Sequence, residues 1–296
     1  MSLSWQSAAS PIREGGRPPR RMRNPLPRAV LFAFVPALTV FVAFWLIPFG
    51  WLVVLGTMPD SSSQQNAYWT VLANPRYLES LGITLLLSAA VSVAAVAVSA
   101  VVACFLARHA VPGKGLLLAL LTFPLAFPGV VVGFLIIMLG GRQGLFSQLG
   151  AALTGDRWTF AYSLGGLFLG YLYFSIPRVV MTLVAACEKL DRSLEEAARS
   201  LGAGNWRIVR DVIVPGLAPA LLSSCAICFA TSMGAFGTAF TLGTELTVLP
   251  LTIYGEFTNY ANFATAAALS VIMGLVTWGA LLLARRFSGT TVGSTL

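Results

Sequence analysis

The apolar residues of this chain gather in long runs, separated by shorter polar stretches. The runs cover residues 29–56, 80–107, 115–139, 159–187, 216–242 and 262–284. An apolar run of about eighteen residues or more is the mark of a helix that crosses a bilayer. The pattern therefore predicts an all-α membrane protein with six transmembrane helices, together forming one transmembrane domain over residues 29–286. At about 1.5 Å per residue the second run exceeds a ~30 Å hydrocarbon core, so it is expected to tilt or protrude. It is rich in Ala and Ser, with Gly82, and such small residues let membrane helices approach closely. Pro36 and Pro48 mark possible kinks in the first run, and Pro124 and Pro128 break the third. Residues 57–79 and 140–158 read as loops. Residues 243–261 read as a loop that re-enters the membrane through the apolar stretch Leu249 to Tyr254.

Composition agrees with the pattern. Only 10% of residues are charged and 57% are hydrophobic, with mean hydropathy +0.80; soluble proteins carry about 25% charged residues. The net charge of +8 does not point to nucleic acid, because the basic residues sit in tails and loops rather than on one face. Residues 1–28 are basic and proline-rich, and are expected to be disordered or surface-bound. The run after them is too long for a signal-peptide core. Six Lys or Arg lie in this tail, two in the turn from Arg108 to Lys114, five in 188–215 and two in the tail from Arg285. The remaining loops hold only Arg76, Arg142 and Arg157. The positive-inside rule then places both termini and 188–215 in the cytoplasm, with residues 287–296 as a short C-terminal tail.

Residues 188–215 hold ten of the thirty charged residues of the chain. Such an island between two spans is an aqueous loop and the natural place for another protein to dock. Ser193 and Glu196 have the spacing of a capping box, with Leu194 and Glu195 between them. Ala197, Ala198, Arg199, Ser200 and Leu201 continue a short helix. Gly202 suits a C-terminal cap with positive φ, and Ala203 follows it. Gly204 and Asn205 open a second helix, and Pro215 marks the return to the bilayer.

Other polar residues carry less. Cys225 and Cys228 form a CxxC, but no second pair or His completes a metal site, and the spacing fits a packed helix face. Cys104 and Cys187 also lie in or beside apolar runs. His109 reads as a solvated residue at a helix end. Arg178 is the one clear charge inside a span, next to Pro177. Intramembrane charges face a bundle interior or water, so Arg178 is a candidate for lining a pathway. Ser232, Met233, Ala235 and Phe236, in a run of small residues, are further pathway candidates. No catalytic cluster and no metal site is expected, nor any cofactor in this chain. Gly113-Lys114-Gly115 is too short for a phosphate loop, so ATP is not bound by that route.

The stretch Glu196-Ala197-Ala198, three residues, Gly202, nine residues, Val212-x-Val214-Pro215 closely resembles the EAA loop of the membrane subunits of binding-protein-dependent ABC importers. Val212 and Val214 stand where Ile and Leu are usual. Further segments resemble the polyamine, sulfate, molybdate, ferric-iron and phosphonate branch. They are Pro124-x3-Pro128-Gly129, Gly141-Arg142-Gln143-Gly144-Leu145, Pro177-Arg178-Val179-Val180, Ser232 to Gly237, and Leu249-Pro250-Leu251-x-Ile253-Tyr254. Ala235 departs from the acidic residue frequent there in that branch. The resemblance covers residues 75–285. It implies a permease in a bacterial cytoplasmic membrane that imports a small charged solute. The implied partners are a cytoplasmic ATPase dimer, a second permease subunit and an extracytoplasmic solute-binding protein. The implied coupling residues are Ser193, Leu194, Glu195, Glu196, Ala197, Ala198, Leu201, Gly202, Ala203 and Pro215. The alternative is an ATP-independent secondary transporter, which predicts inverted repeats and buried acidic groups for ion coupling.

Overall fold

The computed structural model describes residues 28–60, 65–243 and 246–287. The basic tail 1–27, and all but the first residue of the tail 287–296, lie outside them. Six helices are long and apolar enough to cross a membrane: Phe34–Leu55, Pro75–Arg108, Gly129–Thr154, Leu164–Lys189, Asn205–Met233 and Phe263–Arg286. Among the described residues there is no strand beyond one isolated bridge between Pro59 and Asn66.

The chain divides into an N-terminal unit ending at Phe49 and a main unit starting at Gly50. The first unit holds α1 (Arg28–Phe41), a π-helical turn (Val42–Leu46) and the start of α2 (Ile47–Leu55). Phe41, Trp45 and Phe49 stack at four-residue spacing, with ring centroids 5.1 and 5.6 Å apart. The widened turn ends two residues before Pro48. A second π turn, Val209–Ile213, ends two residues before Pro215. In both places proline supplies no N–H to the carbonyl four residues back and its ring crowds that carbonyl, so the turn ahead of it widens.

The main unit continues with α3 (Ala67–Ala73) and α4 (Pro75–Arg108). Then come α5 (Lys114–Thr122), a 3-10 turn (Phe123–Ala126), α6 (Gly129–Gly140) and α7 (Leu145–Thr154). After these run α8 (Leu164–Lys189), α9 (Arg192–Ser200) and α10 (Asn205–Ile208). The chain closes with α11 (Val214–Met233), α12 (Phe236–Leu242), α13 (Leu249–Thr258) and α14 (Phe263–Phe287). The sequence reading of 57–79 as a plain loop is corrected: α3 lies inside it. Asn66 caps α3 at the amide of Tyr68, 3.0 Å away, and Asn74 caps α4 at the amide of Arg76, 3.0 Å away. Pro75 at the first position of α4 needs no donor there.

The core is built on α4 packed along α8 and α11. Ser88, Val91, Ser92, Ala95, Ser99 and Ala103 are buried at helical spacing on α4. Their small side chains bring the backbones close, and Ser99 Oγ donates to the Ile176 carbonyl at 3.3 Å. The first half of α4 meets α13 through a polar ladder. Tyr77 Oη donates to Glu256 Oε1 at 3.0 Å, Ser80 and Thr252 hydroxyls lie 2.8 Å apart, and the Leu249 amide donates to Thr84 Oγ1 at 2.8 Å. As α4 ascends from 77 to 84, α13 descends from 256 to 249, the register of two antiparallel helices.

Two of the apolar runs are broken. The third splits at Pro124 and Pro128 into α5 and α6. The fifth splits at Gly234 and Ala235 into α11 and α12. Tyr171 Oη donates to the Ala235 carbonyl, at 2.6 Å, that the second break exposes. α6 and α12 pack against each other, with Thr238 Oγ1 donating to the Gly129 carbonyl at 3.0 Å. Non-helical backbone at such depth is tolerated where protein covers it or where it lines a cavity.

Candidate functional site

The island 188–215 forms α9, a sharp bend, and a helix that continues into α11. Asp191, not Ser193, caps α9: its carboxylate accepts from the Ser193 amide at 2.9 Å. This corrects the capping box read from Ser193 and Glu196. Both Asp and Ser are good caps, and the helix starts at the earlier one, which places Ser193 inside the first turn. That amide hydrogen bond holds the Asp191 carboxyl below its ordinary pKa.

The far end of α9 closes in a Schellman turn. The Ala203 amide donates to the Ala198 carbonyl at 3.0 Å and the Gly202 amide to the Arg199 carbonyl at 2.9 Å. Gly202 has φ +80°, in the left-handed region that a Cβ disfavours. Pro215 does not interrupt the second helix, because the π turn ahead of it keeps α10 and α11 in one run from Asn205 to Met233. The ends of the island meet: a Cβ on Gly216 would lie 2.6 Å from Leu190 Cδ1.

Three polar contacts strap the island to the hairpin between α4 and α5. Arg108, the last residue of α4, pairs with Glu195 in α9. Both side chains are largely buried, 16% and 12% exposed, and they meet as an ion pair without hydrogen-bond alignment. Arg192 Nη2 donates to the Ala107 carbonyl at 3.0 Å. Lys114 Nζ lies 2.7 Å from Glu188 Oε1. Just inside, Cys104 and Cys187 Sγ atoms are 3.4 Å apart. His109 stacks on Phe105 at 4.5 Å and its Nδ1 lies 3.0 Å from the Phe105 carbonyl.

Glu195 and Glu196 thus have different surroundings. Glu195 turns to Arg108, whereas Glu196 is exposed on the rim of a 600 Å³ cleft between α4, α9 and α10. Ser193 and Ala197 are exposed, and Ala198 and Ala203 are half-buried. Leu201 is 88% exposed and Trp206 is 77% exposed. Leu194 is also exposed. Leu194, Leu201 and Trp206 thus raise apolar side chains on an otherwise polar loop. The contacts through Arg108, Ala107 and Lys114 are absent from the sequence reading. Opposite charge is their only sequence signal, and it does not pair residues this far apart in the chain.

The pathway candidates fall into separate groups. Arg178 and Ala235 line one cavity of 310 Å³, together with Gly129, Thr231 and Thr238. Phe236 lines a different, apolar cavity of 430 Å³ with Tyr254, Phe257 and Phe263. Its ring lies 5.2 Å from Phe240 and 5.3 Å from Tyr254. Ser232 and Met233 are buried at the end of α11. All four cysteines are free thiols. Among the described residues no group of His, Cys, Asp and Glu could hold a metal ion.

Six helices long and apolar enough to cross a membrane, broken third and fifth runs, and a helical loop strapped to the end of α4 define a polytopic membrane protein. Residues 96–289 match the family described as binding-protein-dependent transport system inner membrane component, and the chain belongs to that family of ABC-importer permease subunits. It is 33% identical over 207 residues to sulfate permease 2, chloroplastic, of Chlamydomonas reinhardtii, covering 68% of this chain and 55% of that one. It is 34% identical over 171 residues to the molybdenum transport system permease protein ModB of Escherichia coli strain K12, covering 56% of this chain and 74% of that one. The chain thus spans about half the length of the first relative and about three quarters of the second. Its fold is similar to a chain in the crystal structure of a bacterial alginate ABC transporter in complex with an alginate pentasaccharide-bound periplasmic protein. There the TM-score is 0.72 at 18% identity, covering 90% of this chain and 96% of that chain.

Proposed function

We propose that this chain is the membrane subunit of an ATP-driven importer of a small oxyanion, and that the 188–215 loop receives work from a separate ATPase. The observation that carries the coupling role is the way α9 is held. It is fixed to α4 through Arg108 and Arg192, it follows α8 after the two extended residues Leu190 and Asp191, and it leads through the Gly202 bend into α11. A push on α9 therefore reaches three spanning helices. Leu194, Leu201 and Trp206 offer the ATPase an apolar contact, and Glu196 and Ala197 stand exposed beside them.

In this reading the loop binds the open and closed ATPase dimer differently, and that difference shifts the permease between inward- and outward-facing states. A second permease subunit completes the pathway, and an extracytoplasmic receptor delivers the solute. Two features support an oxyanion as solute: relatives named for sulfate and molybdenum, and a cation, Arg178, on a cavity beside the broken helices. Both termini and the loop face the cytoplasm.

Two measurements on one preparation test this. A cysteine placed at Gly204 is expected to react with an impermeant maleimide only from the cytoplasmic side. Wild-type chain is expected to co-purify with an ABC ATPase, and Glu196→Arg to lose it. Labelling from outside alone, or stable purification of a transport-active chain with no ATPase, contradicts the proposal.

A further inference from the structure

We infer that the space at Arg178 between α8, α11 and the start of α6 is a binding station for the oxyanion inside the membrane-spanning region. The inference rests on the oxyanion reading above and gives it a place. Three independent features converge there.

The first is charge. Arg178 lies near the middle of α8, far from either end, and its side chain is exposed. Among the described residues, no carboxylate forms an ion pair with it. A cation at this depth is costly unless water or a counter-ion meets it.

The second is a pair of hydroxyls. Most helical Ser and Thr side chains here return their hydrogen to the carbonyl four residues back: Thr182 to Arg178 at 3.0 Å, Ser223 to Pro219 at 2.7 Å, Thr231 to Ile227 at 3.0 Å. Ser175 and Ser224 do not, and neither do Ser232 farther along α11 and Ser88 on α4. Ser175 and Ser224 are 2% and 4% exposed, and their Oγ atoms have no partner. Both line a 40 Å³ pocket with Arg178, Cys228 and Thr231. A buried hydroxyl without a partner is costly, and two in one pocket with a cation form a set of donors that an acceptor would satisfy.

The third is backbone. The larger, 310 Å³ cavity also contains Arg178 and Thr231, and Gly129 forms part of its wall. Gly129 is the first residue of α6, which no side chain caps. In its first turn the Val131 amide already donates to the Pro128 carbonyl at 2.9 Å, which leaves the Gly129 and Val130 amides, and such N–H groups at a helix start favour an anion.

Arg178 and Thr231 line both spaces, so one guanidinium serves both the serine pocket and the larger cavity at the start of α6. Every donor named suits a tetrahedral oxyanion, which is all acceptor, and the fixed positive charge repels a polyamine or a ferric ion. The guanidinium also suits paired oxygen atoms better than a point charge would.

The test uses the assembled permease–ATPase complex in nanodiscs, without receptor, titrated with tungstate and with sulfate at low ionic strength. Saturable binding of at least one anion is expected. Arg178→Gln is expected to weaken it at least tenfold. Ser175→Ala with Ser224→Ala is expected to weaken it by roughly five- to 150-fold, the range of two neutral hydrogen bonds. Arg178→Lys, which keeps the charge, is expected to retain part of the binding and to carry the test if Arg178→Gln fails to assemble. Neither anion binding to wild type, or binding unchanged in every variant, overturns the station and leaves a cavity that holds water. Receptor-driven import of labelled sulfate or molybdate separates the two levels. Import at the wild-type rate by Arg178→Gln overturns the station alone. Wild-type import of a cation or neutral solute, and of no oxyanion, overturns the oxyanion reading on which it rests.

Discussion

Arg108 ends α4 and pairs with Glu195 in α9, joining the second spanning helix to a loop that emerges between the fourth and fifth. Exposed pairs contribute about 0–1 kcal/mol, and breaking a fully buried pair costs about 3–5 kcal/mol. With both side chains mostly covered, this pair falls between. Glu195→Gln is expected to weaken coupling, so that ATP hydrolysis continues while uptake falls. The reversed pair Arg108→Glu with Glu195→Arg is expected to recover part of the uptake that either single reversal loses. A double-mutant cycle on uptake rates measures this; equal losses in single and double reversals contradict the contact.

The bend after α9 depends on Gly202 at φ +80°. A β-branched residue there costs roughly 1–2 kcal/mol or more, whereas Asn tolerates the conformation. Gly202→Val is expected to abolish transport and Gly202→Asn to preserve most of it. Immunoblots of membranes separate lost coupling from lost expression, and equal activity in both variants contradicts the left-handed cap.

Cys104 on α4 and Cys187 on α8 bring their sulfurs to 3.4 Å. Mild iodine treatment of membranes is expected to link them, the two thiols losing two protons and two electrons to give one disulfide and two iodides. The cross-link reads out as a joined pair of peptides by mass spectrometry. Its absence under conditions that oxidise an accessible thiol pair contradicts the packing of α4 on α8.

The Asp191 cap makes the start of α9 sensitive to acid. Its folded pKa is depressed by the Ser193 amide, so its contribution is fully present above the ordinary carboxylate value of 3.8 and is lost as pH falls through the lower folded value. Faster hydrogen exchange at the Ser193 amide below that range is expected. Asp191→Asn caps without titrating, and is expected to remove that pH dependence.

Much of this was legible in the sequence, for reasons that differ by element. The six spans follow from run length alone, since few soluble elements need so many apolar residues in succession. Gly202 was legible because few residues but glycine end a helix that way. The cap was misplaced because Asp191 and Ser193 both suit the role, and only the path of the chain out of α8 chooses between them. α3 was missed although Asn66, and Asn74 before Pro75, are helix-start signals; seven residues make too short a helix for periodicity to show. The break at Pro124 and Pro128 announces itself through proline, but the one at Gly234 and Ala235 carries no such mark. Arg108 and Glu195 lie on separate helices, α4 and α9, and only the folded chain brings them together. Ser175 and Ser224 look like ordinary small residues in a membrane helix; their unmade hydrogen bonds in a pocket shared with Arg178 distinguish them.

The central claim is that this chain imports an oxyanion by receiving the work of ATP hydrolysis through α9. Uptake of labelled sulfate or molybdate into proteoliposomes tests it most directly, with the receptor on one side and ATP with the ATPase on the other. Uptake that requires ATP, and that Glu196→Arg abolishes while the permease stays in the membrane, is the predicted result. Uptake driven by an ion gradient without ATP, or left intact by Glu196→Arg, would contradict it.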